Sequence, residues 1–400
     1  MTLKKLSTYW VLAILFLFPL FMFPWIRNFV FSGKNIFLYV SVLIGFLFWA
    51  GSLITDKRSK INFSSSDGIF LLFVLLGLLS LIFLPLGVRV RALTQPGALG
   101  TLIALFLFSF LFSQTELRRK PKLALTVLSI SMTVSITICV LLFLLPVSSY
   151  PLKIGSLLTI TGSRWSTLGS IFELALFTLP LLVYWLQRLI RKAGKGLGGE
   201  NIKSAIFSVI FLIGFGISGY QLLKTKPILL DYSSSWSIGA EAFKQKPLIG
   251  VGLANFNTAF SLYRPTEFNS GQNWALRFDQ SRSFLLHLWT ETGILGLGLW
   301  LIVAFSLYKI RKKNKKLIYP LLVIFISQIF LPATISVLFL YFVFISLLKP
   351  IKEVKLPEWI WVPRTVAGIV FIFVVGLGYL TSRFLVGEIT FVQSLKAVAE

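Results

Sequence analysis

The chain has 400 residues, 56% hydrophobic and 13% charged, with 39 Lys and Arg against 14 Asp and Glu for a formal net charge of +25. That apolar share excludes a soluble globule with one core, and basic residues confined to short clusters between apolar runs exclude a nucleic-acid-binding domain as the source of the charge. A single cysteine, Cys139, excludes an intramolecular disulfide and a multi-thiolate metal site.

Lys4 and Lys5 precede an apolar run from Tyr9 to Ile26 that no small-x-small cleavage site follows, so an uncleaved first helix is expected. About 20 mostly apolar residues cross a bilayer, and the hydropathy pattern predicts about eleven spans. These lie at 9–26, 36–54, 68–86, 99–113, 123–146, 169–187, 204–221, 284–308, 317–331, 333–348 and 365–382. The run from Leu317 to Leu348 carries Pro332 at its centre and is read as a short hairpin of two spans. With the N-terminus inside, most basic residues fall on the cytoplasmic side, in clusters such as Arg118–Arg119–Lys120 and Lys309–Lys316.

Three outside segments stand out: the turn Gly87–Pro96, the loop Val147–Leu168 and the long loop Leu222–Ser283. In the last, Trp236, Ile238, Ala242 and Phe243 are spaced for a helix that Pro247 ends. The expected fold is an all-α, polytopic transmembrane bundle over 1–383, embedded in the lipid bilayer, with an external loop at 222–283 between spans 7 and 8. After the last span, the second half of Arg383–Glu400 is helix-compatible and stops without a cap or breaker, and 384–400 read as the start of an external C-terminal extension.

Ser283, His287 and Glu291 are spaced i, i+4, i+8 and share one helical stripe. A Glu one turn from a His orients the imidazole and raises its basicity, as a general base acting on a sugar hydroxyl requires. The alternative is that the two residues only satisfy each other near the interface. The outside arginines are Arg89, Arg91, Arg164, Arg264, Arg277 and Arg282, and all but Arg264 lie within a few residues of a span. Their planar forks suit a diphosphate-linked lipid, whereas a single arginine there often anchors to headgroups. Glu173 is a separate intramembrane carboxylate, suited to a proton path, to substrate or to helix packing. The loop carboxylates Asp231, Glu241, Glu267 and Asp279 are scattered and form no metal motif, so metal-independent chemistry without a cofactor is expected. Trp165, Trp236, Trp274 and Trp289 fit an interfacial belt better than sugar stacking.

Three stretches together resemble the O-antigen ligase and polymerase superfamily of bacterial membrane glycosyltransferases. SSWSIGAEAFKQKPLIGVGLANFNTAF, 234–260, is similar to the family's amphipathic helix and Pro-x-x-Gly-x-Gly-x-x-x-Phe turn, here Pro247, Gly250, Gly252 and Phe256. SRWSTLGS, 163–170, matches the family's arginine-led segment at Arg164, Thr167 and Gly169, while Ser166 and Ser170 stand where Gly and Asn are usual. SRSFLLHLWTETGILG, 281–296, resembles the third signature through Ser283, nine residues, Gly293 and Gly296. The signature histidine position is Arg282. Either His287, five residues on, has taken over the base role, or Arg282 does another job and no histidine base is used.

The resemblance covers about residues 60–350 and implies a GT-C-like helical fold in the bacterial inner membrane. It implies an undecaprenyl-diphosphate-linked glycan donor at the outer leaflet and a glycan, lipid or protein acceptor. By the same analogy Arg164, with Arg89, Arg91, Arg277 and Ser283, would bind the donor, and His287, Glu291 and Arg282 would act in transfer. The runner-up is a transporter or flippase of a polyprenyl-linked glycan or other anionic solute, for which the sequence offers no internal symmetry. A membrane scaffold is a third reading.

Overall fold

Within a bilayer no water satisfies exposed backbone groups, so each apolar run closes its own hydrogen bonds as a helix. The structure, a computed structural model, describes residues 3–26, 28–55, 60–144, 152–154, 158–160, 165–192, 199–309, 315–355 and 361–399; side chains of 152–154, 158–160, 192 and 395–399 lie outside the description. The first half contains α1 (Leu3–Leu17), α2 (Phe31–Thr55), β1 (Lys60–Phe63), α3 (Ser65–Leu81), α4 (Leu86–Thr94), α5 (Leu99–Gln114) and α6 (Pro121–Leu144). Four short strands follow, β2 (Leu152–Ile154), β3 (Leu158–Ile160), β4 (Trp165–Ser166) and β5 (Gly169–Ser170). Then come α7 (Ile171–Lys192), α8 (Gly199–Thr225), α9 (Tyr232–Gln245), α10 (Phe256–Tyr263), α11 (Phe284–Lys309), α12 (Lys315–Phe330), α13 (Ile335–Leu348), β6 (Lys352–Lys355) and α14 (Trp361–Ala399).

The protein is 79% helical and all-α. Among the described residues seven stretches are long and apolar enough to cross a membrane, which makes this a multi-pass membrane protein. One of the seven, Leu86–Gln114, is interrupted at 95–98 between α4 and α5. Four other expected spans fall on the shorter helices α1, α3, α12 and α13, of 15, 17, 16 and 14 residues. The 317–348 run is two helices, separated at 331–334 around Pro332.

Helix α14 runs on to Ala399 through residue 383. The one glycine beyond it, Gly387, does not stop the helix, and the Thr381, Ser382 and Thr390 hydroxyls bond back to carbonyls of the preceding turn. This helix lies along α2 and leaves Ile369, Phe371 and Ile372 exposed, as a lipid-facing helix does.

Contacts sort the connections into two ends. At one end β1 pairs antiparallel with β6, Lys60 opposite Lys355 and Phe63 opposite Lys352. Glu353 bonds both Lys60 at 3.0 Å and Arg119 at 3.2 Å, and Glu200 bonds Lys122 at 3.0 Å and Arg188 at 3.4 Å. Just inside this end the fully buried Lys349 donates to Asp67 Oδ1 at 2.5 Å and to Ser109 Oγ at 3.0 Å, while Asp67 caps α3 through the Ser64 amide. At the other end the 95–98 turn, the 226–283 stretch and the 331–334 turn meet. Gln95 donates to Asp279 at 3.4 Å, the Phe284 amide to the Leu331 carbonyl at 3.1 Å, and the Tyr232 hydroxyl to the Phe330 carbonyl at 2.5 Å.

The 226–283 stretch has its own small core, with Leu230, Ile238, Ala242, Val251, Phe256 and Phe260 buried together. Helix α9 begins where the Asp231 side chain accepts from the Ser234 amide at 2.7 Å, and it ends ahead of Pro247 as the spacing predicts. Ile238 and Ala242 face inward. Trp236 does not; it is exposed and packs on Trp289, 5.2 Å between ring centroids.

Candidate functional site

The site is organised by a break in α11. Gly293 has φ 60° and ψ −160°, a conformation that leaves the helix and suits glycine. A straight helix would bond the Ile294 amide to the Thr290 carbonyl and the Leu295 amide to the Glu291 carbonyl. All four groups instead pair with the segment that follows α9. Ile294 and Leu295 donate to the Pro247 and Leu248 carbonyls at 3.0 and 3.3 Å, and Val251 and Gly252 donate to the Thr290 and Glu291 carbonyls at 3.0 and 2.9 Å. These four backbone groups are thus paired across the break, as a break at membrane depth requires.

This explains the glycines of two sequence motifs. A β-carbon on Gly250 would stand 2.5 Å from the Glu291 carbonyl carbon, and one on Gly293 would stand 2.6 Å from the Pro247 and Leu248 carbonyl oxygens. Gly252 presses on Leu84, at the end of α3. The Pro247–Phe256 turn and the Ser283–Gly296 signature are thus two halves of one backbone-to-backbone joint, brought together from positions about 40 residues apart.

Above the joint sits the ionisable pair. His287 Nε2 is 3.4 Å from Glu291 Oε2, with the imidazole 17% exposed and the carboxylate 2% exposed. Glu291 Oε1 accepts from the Phe256 amide at 3.0 Å, so the carboxylate caps the start of α10. Ala254, next to it, is held at φ 60°, a strained value for a residue with a β-carbon. His287 Nδ1 is buried and makes no hydrogen bond among the described residues. Both side chains line a small pocket with Gln95, Asp279, Ser281 and Phe284, whose free space of about 20 Å³ admits one water. Ser281 Oγ, buried there, also lacks a partner among the described residues. A carboxylate beside one imidazole nitrogen and a second nitrogen without a hydrogen bond among the described residues is an arrangement that can accept a proton from a hydroxyl.

Of the other expected site residues, the described ones do not line this pocket. Arg89 closes the end of α3, donating to the Leu84 carbonyl at 2.7 Å and the Ile82 carbonyl at 3.1 Å. Arg91 and Arg277 are exposed. The Arg282 guanidinium lies 5.1 Å from the Tyr232 ring centroid, its amide donates to Ser235 Oγ at 3.0 Å, and its buried Nε has no partner among the described residues. Ser283 accepts from the Leu286 amide and donates to the Gln328 carbonyl, both at 3.3 Å, and so starts α11 and ties it to α12. Arg264, mid-loop, covers the Phe260 and Phe268 rings. Arg164 lies outside the described residues.

Sequence reasoning passed over Lys34, which is fully buried and donates to the Phe18, Pro19 and Phe21 carbonyls at 2.8, 3.1 and 3.0 Å. It sits close enough to Glu173 for their charges to interact. Glu173 Oε2 itself has no hydrogen-bond partner among the described residues. The signal was Pro19, which stops α1 and frees the carbonyls that a lone lysine then collects. Comparison with protein-family models and with curated protein sequences finds no match to this chain.

Proposed function

We propose that the chain is a metal-independent membrane glycosyltransferase of the O-antigen ligase and polymerase type, in the bacterial inner membrane. On this reading it crosses eleven times with a GT-C-like arrangement, its N-terminus is cytoplasmic and the 222–283 loop is external. The observation that carries the reading is the joint between the two motif-bearing stretches, which holds Glu291 against His287 at the mouth of a polar pocket. The donor is a glycan on undecaprenyl diphosphate, and the acceptor is a glycan, lipid or protein hydroxyl.

In the transfer step the acceptor oxygen attacks the anomeric carbon and its proton passes to His287 Nδ1, while Glu291 holds the opposite nitrogen. The bond from the anomeric carbon to the phosphate oxygen breaks, and the diphosphate leaves with the electron pair. Arg164 and Arg282 are the cations assigned to it; Arg282 brings a donor without a protein partner. Arg89 is reassigned to capping α3. The experiment is surface-glycan assembly in a complementing strain carrying Arg164→Ala: assembly stops if the diphosphate assignment holds, and full assembly overturns it.

A second reading, a transporter of a polyprenyl-linked or other anionic solute, draws on the same broken helix, since discontinuous helices carry the binding sites of many transporters. Movement of the donor across vesicles with no change in glycan linkage would favour it.

A further inference from the structure

The end of the bundle away from His287 holds a second cavity, of about 530 Å³, between the start of α1, the end of α2, β1 and the turn at 116–119. Five cationic residues line it, Lys4, Lys60, Arg118, Arg119 and Lys120, against the carboxylates Glu116 and Glu353, leaving an excess of three positive charges. Glu353 is shared between Lys60 and Arg119, and Glu116 stands 3.7 Å from Lys120. Arg118 makes no ion pair within 4 Å among the described residues, although its charge acts on Glu353, and one of its terminal nitrogens, Nη1, is buried without a hydrogen bond among them. An anion in the cavity would meet this excess of positive charge, carried by the partly buried Arg118 and its neighbours. Of the amides that also line the wall, Gln114 bonds the Asn62 backbone through both its oxygen and its nitrogen, and the Asn62 side-chain nitrogen donates to the Ser113 carbonyl.

The cavity lies where α2 and α5 end, with the buried Trp49 and Leu53 beside it, so it sets cationic side chains against an apolar wall at the end of two apolar helices. An arginine fork with neighbouring ammonium groups matches the oxygens of a phosphate. We infer that this cavity binds a phosphate-bearing anion, supplied either by the headgroup of an anionic phospholipid or as free phosphate. The inference does not depend on the transferase reading.

The test uses the purified full chain in nanodiscs of phosphatidylglycerol or phosphatidylcholine, with lipid retention read by native mass spectrometry and thermal stability read with and without inorganic phosphate. Each neutralised cation is expected to weaken anion retention about fivefold. Arg118→Gln and Lys60→Gln are the test variants, the second at an exposed strand position that tolerates change; Lys244→Gln, in α9 at the other end, is the control. Preferential retention of phosphatidylglycerol, lost in the test variants and kept in the control, supports the site with a lipid source. Stabilisation by inorganic phosphate with equal retention of both lipids, lost in the same variants, supports it with free phosphate as the source. No preference for either anion, or a preference that Arg118→Gln and Lys60→Gln leave unchanged, overturns it.

Discussion

Gly250 and Glu291 meet backbone to backbone: a β-carbon on the first would stand 2.5 Å from the carbonyl carbon of the second. Gly250 also has φ +64°, so Gly250→Ala meets both a clash and a strained backbone. The expected loss is about 1–3 kcal/mol, read as a lower thermal midpoint of the purified protein in detergent. Gly298, in the same helix α11, has nothing within 4 Å of a β-carbon, so Gly298→Ala should leave the midpoint level or raise it. Equal behaviour of the two variants would count against the joint.

Removing the imidazole by His287→Ala should lower glycan transfer about 10²–10⁴-fold at saturating donor, with little change in stability. Glu291→Gln keeps an acceptor for the Phe256 amide, so it should fold normally and still lose transfer. Glu291→Ala removes that acceptor as well and should cost about 1–3 kcal/mol of stability. Unchanged transfer in His287→Ala and Glu291→Gln would reduce the pair to a helix cap.

Lys349→Met leaves Asp67 buried without its cation, and the expected cost is about 3–5 kcal/mol. Adding Asp67→Asn should recover most of it, since the mismatch and not the pair is what destabilises. A double-mutant cycle in thermal unfolding checks this, and additive losses would argue against direct coupling.

Glu353 bonds Lys60, and with Arg119 and Arg118 near as well its carboxyl is held below the usual carboxylate range. Because the folded value is the depressed one, its contribution to stability is complete above the ordinary carboxylate pKa and disappears as pH falls through the folded value. Wild type and Glu353→Gln should therefore differ slightly at neutral pH and converge only in acid, below the ordinary carboxylate range. Midpoints measured against pH for both proteins decide it; convergence near neutral pH would refute the assignment.

Arg89→Ala should cost about 1 kcal/mol or less by freeing the Ile82 and Leu84 carbonyls, and should leave donor affinity unchanged. A clear drop in donor binding would return Arg89 to the phosphate-binding set.

Hydropathy located the helices well because a long apolar run has few alternatives in lipid, and Pro332 marked the turn between α12 and α13 for the same steric reason that it ends helices elsewhere. The pairing of His287 with Glu291 was legible from their four-residue spacing. The direction of the arginines was not. Proximity to a span says nothing about rotamer, and a guanidinium beside a helix end, as at Arg89, finds free carbonyls before it finds a ligand. The joint between 247–252 and 290–295 was also hidden, because its bonds run from backbone to backbone and only the need for glycine leaves a trace in the sequence.

All 14 residues of α13 are buried, and it touches α2, α5, α7 and α12. All four precede it in the chain, so they leave the ribosome before it does. Until it arrives, its neighbours have only lipid or one another to pack on, around a centre that is not yet there. The bundle is therefore completed from within, by a helix that follows the neighbours it fits between, and a chain stopped short of residue 335 would leave those neighbours' inward faces uncovered.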